Sequence, residues 1–334
     1  MSDASDPPTD APAGAPAHAI RTLADVDEDT LLAEILPVFA AGPAALLGPG
    51  DDTAVLATPG GSVIATTDTM VRDRDWRDAW SSGRDVGAKV VAQNLADIAA
   101  MGGRPTGVLM TLVADPATSI DWVLEMTRGI AAACQENDVA VLGGDLSSAP
   151  QGTLMVSITA LGSLDGRMPV LRSGARAGDV IAVCGTLGLA AAGWRLLESG
   201  RAHEDAEAVS LQRCPRPPLA QGPVAAIAGA TSMLDLSDGL LRDATRVARA
   251  SGVRLALDGS ALGADLQRLT PGLGPVLARE CVLAGGEEHA LLATFPRGIR
   301  LPSGWRALGV VEQGDGVTID GVAELPRGWD HFSP

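Results

Sequence analysis

Seven aspartates stand where apolar runs of the chain end: Asp51 and Asp52 after GPG, Asp68 in ATTD, Asp97 in NLAD, Asp145 in GGD, and Asp235 and Asp238 in DLSD. Singly, each is an ordinary turn residue. Together they would form a nest of carboxylates that raise one another's pKa values and persist only with bound cations. Oxygen-only ligands select magnesium or manganese. Asn94 and Asp97 lie one helical turn apart beside an apolar stripe, where a carboxylate would be partly desolvated and need a partner or a metal, the alternative being a surface-exposed Asp97 on a loosely packed helix.

Other chemistries lack their signatures. The chain has a single lysine, Lys89, and no GxxxxGK[ST], so a P-loop is excluded. Glycine-rich turns in GPGDD, CGTLG and AGGEE can instead present backbone N–H groups to phosphate, with arginines such as Arg172 adding charge. CGTLGLAAAG lacks GxGxxG, and tight strand-to-helix packing explains it as well as nucleotide binding does. His18, His203, His289 and His331 show no zinc-ligand spacing, although His289 and His331 remain available to face a substrate. There is no GxSxG elbow to support hydrolase chemistry.

Composition narrows the partners. A net charge of −16 and a pI near 4.6 repel a polyanionic backbone, and no basic cluster opposes that field, so nucleic acid is not an expected partner. A phosphate-bearing ligand would need metal ions to bridge it to so many carboxylates. The 4 cysteines are far apart, without a CxxC pair, which fits a reducing cytoplasm. Residues 1–18, rich in Ala, Pro, Asp and Ser, read as a disordered tail and as neither signal peptide nor membrane span.

The elements that must position these residues follow from periodicity. A helix is expected over Asp27 to Ala40, then a hairpin whose two β-type runs flank Pro59 and Gly60. DVGAKVVAQNLADIAAMGG reads as a helix with Val91, Leu95 and Ile98 on its apolar stripe and a glycine pair as its cap. Strand, helix and two further strands follow, which describes an α+β domain over 19–165. The turn-rich run from Leu164 to Asp179 is the expected junction to a second α/β domain over 170–334, where SMLDLSDGLLRDATRVARASG reads strand, turn, helix.

Taken in order, GPGDDTAVL, ATTDTMV, AQNLADIAAMGGRPTG, LGGD, LRSGARAGD, LDLSDGL, AGGEEHAL and GWDHF resemble the thiamine-monophosphate kinase family from about Leu47 to Phe332. The resemblance implies a fold shared with aminoimidazole ribonucleotide synthetase, with two α/β domains and the N-terminal one forming a homodimer. It implies ATP-dependent phosphorylation of thiamine monophosphate to thiamine diphosphate, by direct, magnesium-assisted, in-line transfer. Carried onto matching positions, Asp52, Thr66, Thr67, Asp68, Asp97, Asp145 and Asp235 are implied to surround magnesium, with Asp238 on a further ion. Gly144, Asp145, Arg172 and Ser237 are implied to contact ATP, and Glu287 and Trp329 the thiamine phosphate.

Three motifs depart from the family's usual form. The family's VEGxHF run stands here as VRDRDW, which puts Asp75 at the histidine position facing substrate, where it repels phosphate unless a metal or Arg74 intervenes. GGED is GGEE, and no arginine follows GGD until Arg167. A related synthetase acting on another small molecule is one alternative, although selenophosphate synthetase would want a reactive early cysteine and none precedes Cys134. A nucleotide-binding paralogue with impaired catalysis is the other, supported by the replaced histidine.

Overall fold

The computed structural model describes residues 21–25, 28–39, 45–47, 55–58 and 61–329. The expected tail over 1–18, together with Asp51, Asp52 and the final DHF run, lies outside them. The N-terminal elements are α1 (Glu28–Ile35), β1 (Ala45–Leu47), β2 (Val55–Leu56), β3 (Ile64–Val71), α2 (Gly83–Ala100), β4 (Arg104–Ala114), α3 (Ile120–Glu136), β5 (Ala140–Ser148) and β6 (Leu154–Ser163). The C-terminal elements are β7 (Val180–Cys184), α4 (Leu189–Glu198), α5 (Ala206–Arg213), α6 (Gln221–Ile227), β8 (Ser232–Leu236), α7 (Leu240–Ser251), β9 (Arg254–Leu257), α8 (Gly263–Ala284), β10 (Ala290–Phe295), β11 (Trp305–Glu312), β12 (Val317–Ile319) and β13 (Val322–Glu324).

Besides the short β1-β2 pair, two larger sheets organise these elements, in the α+β class expected. The first has four strands in the order β3-β6-β4-β5, antiparallel except for β4 with β5. The second has seven, β13-β12-β9-β11-β7-β10-β8, antiparallel except for β9 with β12. Pro59 and Gly60 lie outside the described residues, and among the described strands the runs expected to pair across them do not: β2 pairs with β1, and β3 pairs with β6. Strand alternation identifies the run but not its neighbour, and here β3's neighbour comes from about ninety residues later in the chain.

Helix α2 shows why this order builds a site. Ser82 and Asp85 form a reciprocal capping box that starts it. Val90, Val91, Leu95 and Ile98 pack against Met110, Leu112, Val156 and Ile158 of the four-stranded sheet. Burying Leu95 and Ile98 contributes about 2–3 kcal/mol each. The end of the same helix, at Ala99 and Ala100, enters a second cluster with Met233, Leu291 and Phe295 of the seven-stranded sheet. A helix buried on more than one side lies between layers. α2 therefore carries its polar residues to the seam between the two sheets. Among the described residues, no helix is long and apolar enough to cross a membrane.

Candidate functional site

The seam opens as a cleft of about 1820 Å³, beyond the volume one small ligand needs. On its N-terminal wall, the one-turn spacing of Asn94 and Asp97 meets the two-residue period of β3. Thr66 Oγ1 donates to Asp97 Oδ2 at 2.7 Å, and Asp68 N donates to Asn94 Oδ1 at 2.9 Å. Asn94 is anchored in turn by donating to Val90 O. Thr67, Asp68 and Asp97 line the cleft, and Thr66 stands behind Asp97.

The opposite wall comes from the turn after β8. Asp235 is buried at the end of that strand, where Nδ1 of the buried His289 lies 3.0 Å from its Oδ2. Gly239 then adopts φ +117, and α7 begins. Asp243 turns back to accept from the backbone N–H groups of Asp238 and Gly239, so a buried carboxylate stitches the turn closed. Burial pushes the Asp243 carboxyl up to about 7, against the charge of Arg246 beside it. Arg246 also donates to Asp238 Oδ2, so the residue expected to bind a further ion already carries an arginine partner. Ser237 and Asp238 both line the cleft.

The GGEEH run supplies three neighbouring side chains that leave in three directions. Glu287, at φ +68, reaches Lys89 on α2, and His289, at φ +52, reaches Asp235. Between them, buried Glu288 accepts from Thr186 Oγ1 and from the Ala190 backbone N–H, capping the N-terminus of α4. Burial raises the Glu288 carboxyl despite these bonds. The change from GGED to GGEE thus falls on a helix cap.

Electrostatics distinguish the centre of the cleft. Burial first, then the charges of Asp235 and Asp68, push the Asp97 carboxyl up to about 7, although the Thr66 bond opposes them. Burial lowers the His289 imidazole, but its bond to Asp235 and the charges of Asp235, Glu287 and Asp97 outweigh that and raise it. Crowded oxygens short of positive charge are a donor set that suits a divalent cation. Among the described residues, no three His, Cys, Asp or Glu side chains form a complete metal site. Magnesium characteristically takes only one or two carboxylates and completes its shell with water and phosphate.

The remaining expected residues divide. Arg172, Asp75, Glu287 and Trp329 line the same cleft. Asp75 Oδ2 accepts from the Val71 backbone N–H at 2.7 Å, so part of its carboxylate closes its own turn. Arg74 lies 5.9 Å from the Trp329 ring centroid, a cation–π contact across the cleft mouth. Gly144 and Asp145 do not line it. They sit on β5, at the far edge of the sheet from β3, roughly 14 Å away at three strand spacings. Asp145 is exposed and accepts from Ser147 Oγ, and Gly144 is required because a Cβ there would lie 2.0 Å from Met110 O. Sequence reading missed Lys89, Asp243 and Arg246 as parts of the site. The acid–arginine spacing of RDATR was the one local signal for the last two.

A family profile described as AIR synthase related protein, N-terminal domain, matches residues 50–164. Thiamine-monophosphate kinase of Mycobacterium tuberculosis is 42% identical over 292 residues, covering 86% of each chain. Thiamine-monophosphate kinase from Stenotrophomonas maltophilia K279a superposes with a TM-score of 0.75 at 32% identity, covering 89% of this chain and 96% of that one. AaThiL complexed with AMPPCP and TMP superposes at 0.73 and 31% identity, covering 84% of this chain and 91% of that one.

Proposed function

The chain belongs to the thiamine-monophosphate kinase family, and on that premise we propose that it transfers the terminal phosphoryl group of ATP to thiamine monophosphate, yielding thiamine diphosphate and ADP. The observation that carries this reading is the single cleft in which Asp68, Asp97, Asp235, Ser237, Glu287 and Trp329 meet. The acceptor's phosphate oxygen is itself the nucleophile, so no strong general base is needed, and catalysis is positioning and charge neutralisation.

Asp68, Asp97 and Asp235, with Thr66 behind Asp97, would hold magnesium; Thr67, whose side chain leaves the other face of β3 and donates to Ile158 O, and Asp52, outside the described residues, join this set by resemblance alone. Bound there, the metal supplies positive charge to the transferring phosphoryl oxygens. Arg172 and Ser237 face the nucleotide, and the Trp329 indole offers a flat apolar face to the ring system of thiamine. His289 holds Asp235 in one orientation. Asp238, paired with Arg246, would need to exchange that partner to hold a further ion.

The homodimer belongs to the same reading. Ala65, Thr67, Thr69 and Leu109 are exposed on the face of the four-stranded sheet away from α2, a face without a helical cover among the described residues. Asp145 pairs in register with Thr111 on that sheet, where a second copy would meet it. A cytoplasmic location accords with the small-molecule substrates and the four free cysteines.

The test is ADP release by the purified protein with magnesium-ATP, with and without thiamine monophosphate, with products read by mass spectrometry and the mass in solution measured on the same preparation. Thiamine diphosphate formed in step with ADP is expected, from a particle of twice the chain mass. ATP binding without either product would favour the catalytically impaired paralogue, and ADP formed with another acceptor would favour the related synthetase.

The raised Asp97 carboxyl adds a pH dependence. At about 7 it is roughly half protonated in neutral solution, and a cation binding there must displace that proton. Magnesium affinity is expected to fall by up to about tenfold per pH unit below about 7 and to level off above about 8. Calorimetric titration of magnesium with a non-hydrolysable ATP analogue, in buffers of different ionisation enthalpy, reads both the affinity and the released proton. Affinity that ignores pH over that range would take Asp97 out of the cation site.

A further inference from the structure

Lys89 is the only lysine of the 334 residues, and only 3% of its side chain is exposed. A buried ammonium is costly unless paired and hydrogen-bonded. Here Nζ lies 2.6 Å from Glu287 Oε1 and donates to the Gln212 backbone oxygen at 3.2 Å. Lys89 stands on α2, which also carries Asp97, whereas both partners belong to the C-terminal half. The pair therefore joins the wall that would hold metal to the wall that would hold substrate.

A mere tie between the halves would bury both charges. Glu287 instead keeps 34% of its side chain exposed and lines the cleft. Its backbone sits at φ +68, where a glutamate is held only when its surroundings dictate it. The Glu287 N–H donates to Ser237 O, which fixes the backbone independently of Lys89. Among the described residues, Lys89 is the side-chain partner of Oε1, and Oε2 has no protein partner.

We propose that Lys89 is a positioning residue for the acceptor substrate: it clamps Oε1 of Glu287 so that Oε2 stands in the cleft as a fixed acceptor for a donor group of thiamine monophosphate, such as the amino group of its pyrimidine. An ionised carboxylate can only accept, so it selects a donor on the substrate and not its phosphate. Holding that acceptor in place before binding removes the ordering cost from the substrate's affinity. The inference rests on the kinase reading above and adds to it the residue that sets substrate affinity.

The experiment compares the full-length wild type with Lys89→Met, Glu287→Gln and the double variant, measuring KM for thiamine monophosphate and for ATP alongside thermal melting. Methionine fills the lysine's space with an apolar side chain, and the freed Glu287 can turn to water, so the variant folds without a stranded charge. Lys89→Met is expected to raise KM for thiamine monophosphate by about tenfold or more and to leave KM for ATP near the wild-type value. The double variant should match Glu287→Gln alone, because Lys89 acts through that carboxylate. An unchanged KM for thiamine monophosphate in Lys89→Met, a parallel rise in both KM values, or effects that multiply in the double variant would each overturn the role. A wild type that makes no thiamine diphosphate sinks the kinase reading and this inference with it.

Discussion

Asp235→Asn lowers kcat by on the order of a thousandfold or more in the expected result, with the melting temperature held within a few degrees. Asparagine keeps the size of the side chain, and its carbonyl oxygen can still face His289 Nδ1 across the 3.0 Å now spanned by Oδ2. Only the negative charge is lost. That charge stands beside Asp97 and contributes to raising its carboxyl, so removing it relieves a repulsion in the fold while depriving the cleft of an anionic metal ligand. Stability and activity therefore part company. Steady-state ADP release and circular-dichroism melting on one preparation read both quantities, and full activity would take Asp235 out of the metal site.

The second large effect is on the turn that carries Asp235. Gly239 sits at φ +117, and a Cβ built on it would stand 2.7 Å from both the carbonyl carbon and the oxygen of Ala284. Alanine there meets backbone, which cannot give way as a flexible side chain can, and also adopts a conformation that L residues avoid. Gly239→Ala is expected to cost about 3 kcal/mol, from dihedral strain and overpacking together. For a chain of this length, that lowers the melting temperature by roughly 5–10 °C. The Asp243 bonds to Asp238 N and Gly239 N would be lost with the turn. A variant that melts with the wild type would mean that the α8 end moves aside freely.

These residues mark what the sequence makes legible. The helix from Gly83 to Ala100, its glycine cap and the inward turn of Asp97 follow from helical period and capping chemistry, which are local. Asp68 and Asp97 were legible only as two of several acids at element ends; their meeting depends on β3 lying beside α2, which lets Thr66 reach Asp97 and Asp68 reach Asn94. The partner of β3 was not readable, since pairing is decided by residues far along the chain. Neither were Lys89 with Glu287 or His289 with Asp235, whose contacts arise only when α2 and the GGEEH run meet at the seam. The sequence marks GGEE only as a change from GGED, and the place of Glu288 beneath Ala190 depends on where α4 begins. Asp145 read as one more acid of the nest, and only the strand order puts it at the far edge.

The lone lysine has a practical side. Acylating reagents that attack ε-amines have one lysine to find in this protein, and it is covered by the contact between α2 and the turn that bears Glu287. Its rate of acylation is therefore a clock for how often the two walls part. Nucleotide or substrate that draws the walls together would slow that clock, so a residue with no exposed charge becomes a built-in reporter of breathing at the seam.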